Sequence, residues 1–259
     1  MVILPLYSVQ YIKRHTLIAF EQRRTISMEP VANMVTFQSE NRQLDGYLAR
    51  PEGEGPFPGI VIIHEAYGLN ENIKHIARRF SNQGYVALAV DLFTGRNRAM
   101  CMFRVMSGLL MNPLNNRSIQ DLKAALTLLS EQTGVDNSRL GAVGYCLGGS
   151  YAIAWACTDD RLKAIAPYYA GNPRPLEAVA RLCPVVGSYP DNDFTTKQGQ
   201  KLDFELERYQ VPHDIKIYTG AKHSFFNDTS RNYNESAAKD SWERVLAFFG
   251  ENLGTKAEM

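Results

Sequence analysis

Cys146 stands in the stretch Gly144-Tyr-Cys-Leu-Gly148, with a glycine two residues before it and another two residues after it. This is the spacing of a strand-to-helix elbow that presents a nucleophile, with sulfur in place of a hydroxyl. So sharp a turn crowds the two flanking positions, and a side chain at either would clash, which is a physical reason for glycine there. A thiol lifted out of such a turn sits at the N-terminus of the next helix. The unpaired amides and the helix dipole are expected to favour the thiolate and lower its pKa. The amide of Leu147 points the same way and is a candidate donor to a developing oxyanion. The chemistry that these features suit is attack on a carbonyl carbon.

A nucleophile needs a base, and the base needs an orienting acid. Of the five histidines, His15 lies near the N-terminus, and His64, His75 and His213 fall on or beside regular elements. His223, in "TGAKHSFFND", follows the last expected strand in a polar loop and is the candidate base. The stretch "VVGSYPDNDFTT" follows another expected strand and offers Asp191 and Asp193, each of which also reads as a turn or capping residue. The order Cys146, aspartate, His223 is the nucleophile, acid, histidine order of α/β hydrolases. Glu65, just beyond the apolar "GIVII", is a carboxylate at a strand end. There it is either a proton acceptor that governs thiol reactivity or a solvated loop residue.

These side chains meet only if the elements between them alternate correctly. "MVTFQ" and "LDGYLARP" read as antiparallel edge strands, and "GIVIIHE", "YVALAVDL", "RLGAVGYC", "KAIAPYYA", "CPVVGSY" and "HDIKIYTG" as further strands. Ile73, Ile76, Ala77 and Phe80 recur at helical spacing, with Gly84 as a C-terminal cap. A second helix is expected from an N-cap at Ser118, with Leu122, Ala125, Leu126 and Leu129 on one face. "LGGSYAIAWAC", residues 197–209 and residues 237–249 complete the helices. Residues 93–116 carry a Met- and Leu-rich stripe that reads first as ordinary core, with a lid over the site as the other reading. Strands alternating with helices imply right-handed crossovers and a mostly parallel sheet covered on both faces, with the site at the carboxyl ends of the strands.

The chain of 259 residues is 45% hydrophobic, enough for one large α/β domain, taken as residues 28–259. Residues 1–27 read as a flexible basic and apolar extension, with Met28 as an alternative start. Pro5, Gln10 and Lys13 break the run that a secretory signal would need. With 28 basic and 27 acidic side chains, the net charge offers no footprint for nucleic acid or an anionic membrane. No apolar run approaches the roughly 18 residues that span a bilayer. Cys101, Cys146, Cys157 and Cys183 lie far apart without metal-type clustering. That spacing points to a reducing, cytoplasmic setting with no metal or cofactor, and the expected partner is a small molecule.

Taken together, "GYCLGG", "HEAYGLN", "GSYPDND" and "GAKHSFFND" resemble the dienelactone hydrolase family, single-domain α/β hydrolases with a cysteine nucleophile that open lactones or cleave esters. The resemblance runs from about Val35 to the closing helix. It implies Cys146 as nucleophile, His223 as base and Asp193 rather than Asp191 as the acid. It also implies that Glu65 contacts the resting thiol and helps move its proton, and that the Ala66 amide joins Leu147 in the oxyanion hole. Family members that act on carboxylate-bearing lactones hold the carboxylate with two arginines. The corresponding positions here are Arg96, displaced by one residue, and Asn227, which implies a weaker anion clamp. Tyr67, Tyr145, Phe225 and Phe226 flank the motif residues and read as an apolar substrate pocket or as core. Two functions follow: hydrolysis of small esters or lactones through a Cys-His-Asp triad and a thioester, or an idle binding or sensor protein that keeps the pocket. Thiol redox work lacks a resolving cysteine, since Cys157 lies along the same expected helix, too far for a direct bridge.

Overall fold

The computed structural model describes residues 31–95 and 97–254. The expected extension at residues 1–27 and the candidate Arg96 lie outside them. The chain builds an eight-stranded sheet from β1 (Val31–Ser39), β2 (Arg42–Arg50), β3 (Phe57–Ile63), β4 (Val86–Asp91), β5 (Val135–Tyr145), β6 (Leu162–Tyr168), β7 (Val185–Pro190) and β8 (His213–Tyr218). Their spatial order is β1-β2-β4-β3-β5-β6-β7-β8. β1 and β2 form the antiparallel hairpin expected at the edge, and β3 to β8 run parallel. The chain leaves β3 for β4 on one side and later returns to β5 on the other, so the order reverses between β3 and β5, where open α/β sheets open a crevice.

Burial on both faces explains why β3 is continuously apolar. Ile60 and Ile62 point into one core layer with α1 (Glu71–Asn82) and α6 (Glu235–Leu253). Val61 and Ile63 point into the other, with α3 (Arg117–Ser130), α4 (Leu147–Ala156) and α5 (Thr196–Arg208). The period of two along the strand thus feeds both layers at once.

Helix α1 ends as expected, with Gly84 at φ +87 just beyond it. The start of α3 differs: Asn116, not Ser118, is its N-cap, and the Asn116 Oδ1 accepts from the amides of Ser118 and Ile119. Both are capping types, and the longer reach of asparagine places its oxygen over two orphan amides. The stripe in residues 93–116 forms helix α2 (Arg98–Met111), and it is not ordinary core. Only Cys101 and Val105 of α2 are buried, while Met100, Phe103, Met106, Leu110 and Met111 are exposed. A short 3-10 helix, Leu176–Arg181, between β6 and β7 is an element that the periodicity did not show.

Candidate active site

Register places the proposed chemistry side by side. Ile63 pairs with Gly144, so Glu65 and Cys146 each sit two residues past a matched pair on neighbouring strands. Tyr145 pairs with Tyr168, which sets Tyr169 beside Cys146 from the other flank. Asp193 follows β7 and His223 follows β8, so all five residues leave parallel strands at the same rim.

The elbow is as tight as the glycines suggest. Cys146 has φ 55 and ψ −114, a strained backbone for a residue with a side chain. A Cβ on Gly144 would run into the carbonyl of Gly148, and one on Gly148 into the carbonyls of Ile63 and His64. The frame is therefore packed backbone against backbone, across β3 as well as within the turn.

His223 Nε2 lies 3.0 Å from Cys146 Sγ, and its Nδ1 lies 2.6 Å from Asp193 Oδ2. An ionised carboxylate can only accept, so Nδ1 carries the proton and Nε2 presents its lone pair to the thiol. Asp193 is held in turn: Oδ2 accepts from Thr195 Oγ1 at 2.7 Å and Oδ1 from the amide of Phe194 at 2.6 Å. Asp191 is exposed and braces the loop after β8 instead, accepting from the Gly220 amide at 2.9 Å. Phe194 stacks on the imidazole with centroids 5.1 Å apart.

Glu65 is buried, 4% exposed. Its Oε2 accepts from Asn227 Nδ2 at 3.0 Å, and Asn227 Oδ1 is fixed by the amide and hydroxyl of Thr229 at 3.0 and 2.7 Å. Those two bonds settle which end of the amide faces Glu65. Glu65 Oε1 has no hydrogen-bond partner. His64 takes the Leu92 amide on Nε2 at 3.1 Å, so its Nδ1–H donates to the Glu65 carbonyl at 2.5 Å and steadies that turn. Tyr169, held at φ 38, turns its buried hydroxyl toward Glu65; burial and then the Glu65 charge hold its phenol protonated well above the usual range. The sequence reading missed Tyr169, Phe194 and His64. Their only signals were a tyrosine pair, an aromatic after an aspartate and a histidine, each at a strand end.

The thiol pKa runs opposite to the expectation from the helix dipole. Burial first, then the Glu65 charge, raise it to about 11, with Asp193 adding to the rise and the Leu147 amide only partly opposing it. Burial, with the charges of the two carboxylates that follow β3 and β7 adding to it, outweighs one helix end. The resting group is a neutral thiol. Alkylation of Cys146 by iodoacetamide should therefore rise with pH toward a midpoint of about 11, above the roughly 8.5 of a free thiol. Glu65→Gln, by removing a negative neighbour, should move that midpoint down. Labelling rates read by intact mass check both; a wild-type midpoint at or below the free-thiol value contradicts the picture.

Beside Cys146 opens an apolar cavity of about 300 Å³, walled by Met106, Leu109 and Leu110 of α2 with Leu147, Tyr169 and Phe194. The exposed part of α2 thus roofs the site. Tyr67, 63% exposed, and Ala66 border a broader polar cleft of about 860 Å³ that also takes in Arg98, Asn227 and Arg231. Three candidates for the pocket, Tyr145, Phe225 and Phe226, are core instead. Tyr145 and Phe225 are buried in the aromatic layer under α6, where Tyr145 stacks on Phe226 with centroids 5.2 Å apart. Tyr145 immediately precedes Cys146, but strand alternation turns its ring to the far face of the sheet. Among the described residues no group of three or more histidine, cysteine or carboxylate side chains is placed to hold a metal ion. All four cysteines are free, and no helix among the described residues is long and apolar enough to cross a membrane.

Comparison with known proteins agrees with this geometry. The profile of the dienelactone hydrolase family matches residues 44–253. A Saccharolobus solfataricus protein assigned as a carboxymethylenebutenolidase is 31% identical over 250 residues, covering 83% of this chain and 96% of its own. An Escherichia coli K12 protein assigned the same activity is 27% identical, covering 88% and 89%. Among solved structures, a Klebsiella pneumoniae protein assigned as a dienelactone hydrolase superposes with a TM-score of 0.75 at 26% identity, covering 85% of this chain and 98% of its own. A dienelactone hydrolase-like promiscuous phosphotriesterase from metagenomic libraries gives 0.77 at 26%, covering 86% and 99%. With the elbow, the sheet order and this span of similarity in agreement, the chain is a hydrolase of the α/β-hydrolase fold and belongs to the dienelactone hydrolase family.

Proposed function

We propose that the protein hydrolyses small carboxylic esters or lactones by covalent catalysis at Cys146. The observation that carries this is the bridging imidazole of His223, 3.0 Å from the sulfur and 2.6 Å from Asp193. The names of the relatives support the substrate class.

The substrate carbonyl sits over the elbow with its oxygen toward the amides of Leu147 and Ala66. The thiol proton passes to His223 Nε2 as the sulfur bonds to the carbonyl carbon, leaving an imidazolium, while Glu65 stays as the neighbouring carboxylate. Charge gathers on the carbonyl oxygen, which the two amides stabilise. The imidazolium of His223 then protonates the departing alkoxide, and the C–O bond breaks to leave a thioester. Water, deprotonated by His223, attacks the thioester, and the thiol returns with the acid product. Asp193 keeps the imidazole in the tautomer that both half-reactions need. Asn227 acts as a positioning residue by pinning one oxygen of Glu65.

Rapid acid quench during turnover of p-nitrophenyl acetate, followed by peptide mass spectrometry, tests this. An acetyl group on the peptide bearing Cys146, formed as fast as the first p-nitrophenolate, is the expected result. Turnover with no acyl group on Cys146 would overturn it.

A further inference from the structure

The apolar cavity beside Cys146 does not end at its own walls. A second cavity of about 390 Å³ shares Leu109, Leu110, Ser150, Gly171 and Phe194 with it, so the two form one groove. The groove leads away from the thiol along α4, and Ser150 lies one helical turn, about 6 Å, from Cys146. Ser150 is polar in name only here. Its hydroxyl donates to the Cys146 carbonyl and accepts from the Gly171 amide, so the passage between α2 and Phe194 is mostly apolar where it leaves the thiol.

The far end is different. Arg174 borders it, exposed, and its guanidinium makes no hydrogen bond or ion pair with any described residue. Gln198 borders it too, with its Oε1 turned to the Asn172 amide, which leaves Nε2 as a free donor. The remaining side-chain acceptor there, Asn172 Oδ1, is shut away from solvent. No acidic side chain lines either cavity. An apolar passage that ends in unpartnered donors, one of them a cation, complements a chain that ends in an anion able to accept hydrogen bonds.

We propose that this groove is an acyl subsite for an apolar chain ending in a carboxylate, which makes monoesters of dicarboxylic acids the preferred substrates. The proposal rests on the reading of Cys146 as the acylated residue. The chain must cross the apolar passage before its carboxylate meets Arg174, so the length of the acid matters as well as its charge.

The experiment measures kcat/KM for the p-nitrophenyl monoesters of succinate, adipate and suberate against the butyrate, hexanoate and octanoate esters, in wild type and Arg174→Gln. At low salt the adipate or suberate ester should be preferred about fivefold over its uncharged partner, the scale of an exposed ion pair. Succinate, too short to reach, should show no preference. High salt should erase the preference, and Arg174→Gln should erase it at any salt. A folding defect in the variant lowers both esters of a pair together and leaves their ratio unchanged, so the ratio reports the contact. The proposal is overturned if uncharged esters are used as well as or better than their partners at every length, or if the preference survives Arg174→Gln. If neither series is hydrolysed, the fault lies with the nucleophile assignment. Calorimetry with adipate then decides the subsite alone: binding lost in Arg174→Gln supports it, and no binding to the wild type overturns it.

Discussion

Cys146→Ala is expected to lower kcat on p-nitrophenyl acetate by at least about 10⁴-fold, to the level that oxyanion donors and binding alone sustain. His223→Ala should cost nearly as much, and the double variant little more than either single one, because a nucleophile without its base and a base without its nucleophile fail in the same step. The 3.0 Å contact between Sγ and Nε2 is the reason to expect that coupling. Asp193→Ala should cost less than either, since nucleophile and base both remain and what is lost is the anchor on Nδ1 with the bonds that hold the Phe194 loop. Single-turnover rates with all four proteins check the pattern. Additive losses, or turnover that survives without the thiol, would overturn the assignment of Cys146 and His223 as a coupled nucleophile and base.

The second large effect is structural. Gly148→Ala should destabilise the fold by at least about 3 kcal/mol, because the new methyl group meets the carbonyls of Ile63 and His64, and backbone at the end of a central strand cannot step aside. For a domain of this size that is a fall in Tm of roughly 10 °C. Gly250→Ala makes the matched control: it lies within α6 with nothing near its would-be Cβ. The gain there should be about 0.5–1 kcal/mol, from helix propensity alone. Thermal unfolding of both variants separates the cost of the tight approach from the general cost of replacing glycine.

How much of this was legible in the sequence depended on whether a residue's role was local. The elbow glycines, the strand ends and the order Cys146, Asp193, His223 could be read because one short segment fixes each. Even Asp193 against Asp191 stayed open on the residues themselves. Both leave β7 at the rim, and only the loop geometry sends one to the imidazole and the other to the Gly220 amide. Helix α2 misled because an apolar stripe that roofs a cavity has the same period as one that packs into a core. Tyr145 and Phe225 misled for the opposite reason: nearness in sequence to a site residue says nothing about which face of the sheet a ring takes. The thiol pKa was misjudged because the helix end is visible in the chain, whereas the burial and the two carboxylates arrive from strands far away in sequence.

The raised thiol pKa reaches beyond turnover. Peroxides attack the thiolate and spare the thiol, so a sulfur that stays protonated at rest is poorly oxidised to sulfenic acid. A sulfur set beside Glu65 and Asp193 is thereby spared between turnovers. Hydrogen peroxide should therefore inactivate the wild type more slowly than Glu65→Gln, whose thiol has lost one negative neighbour.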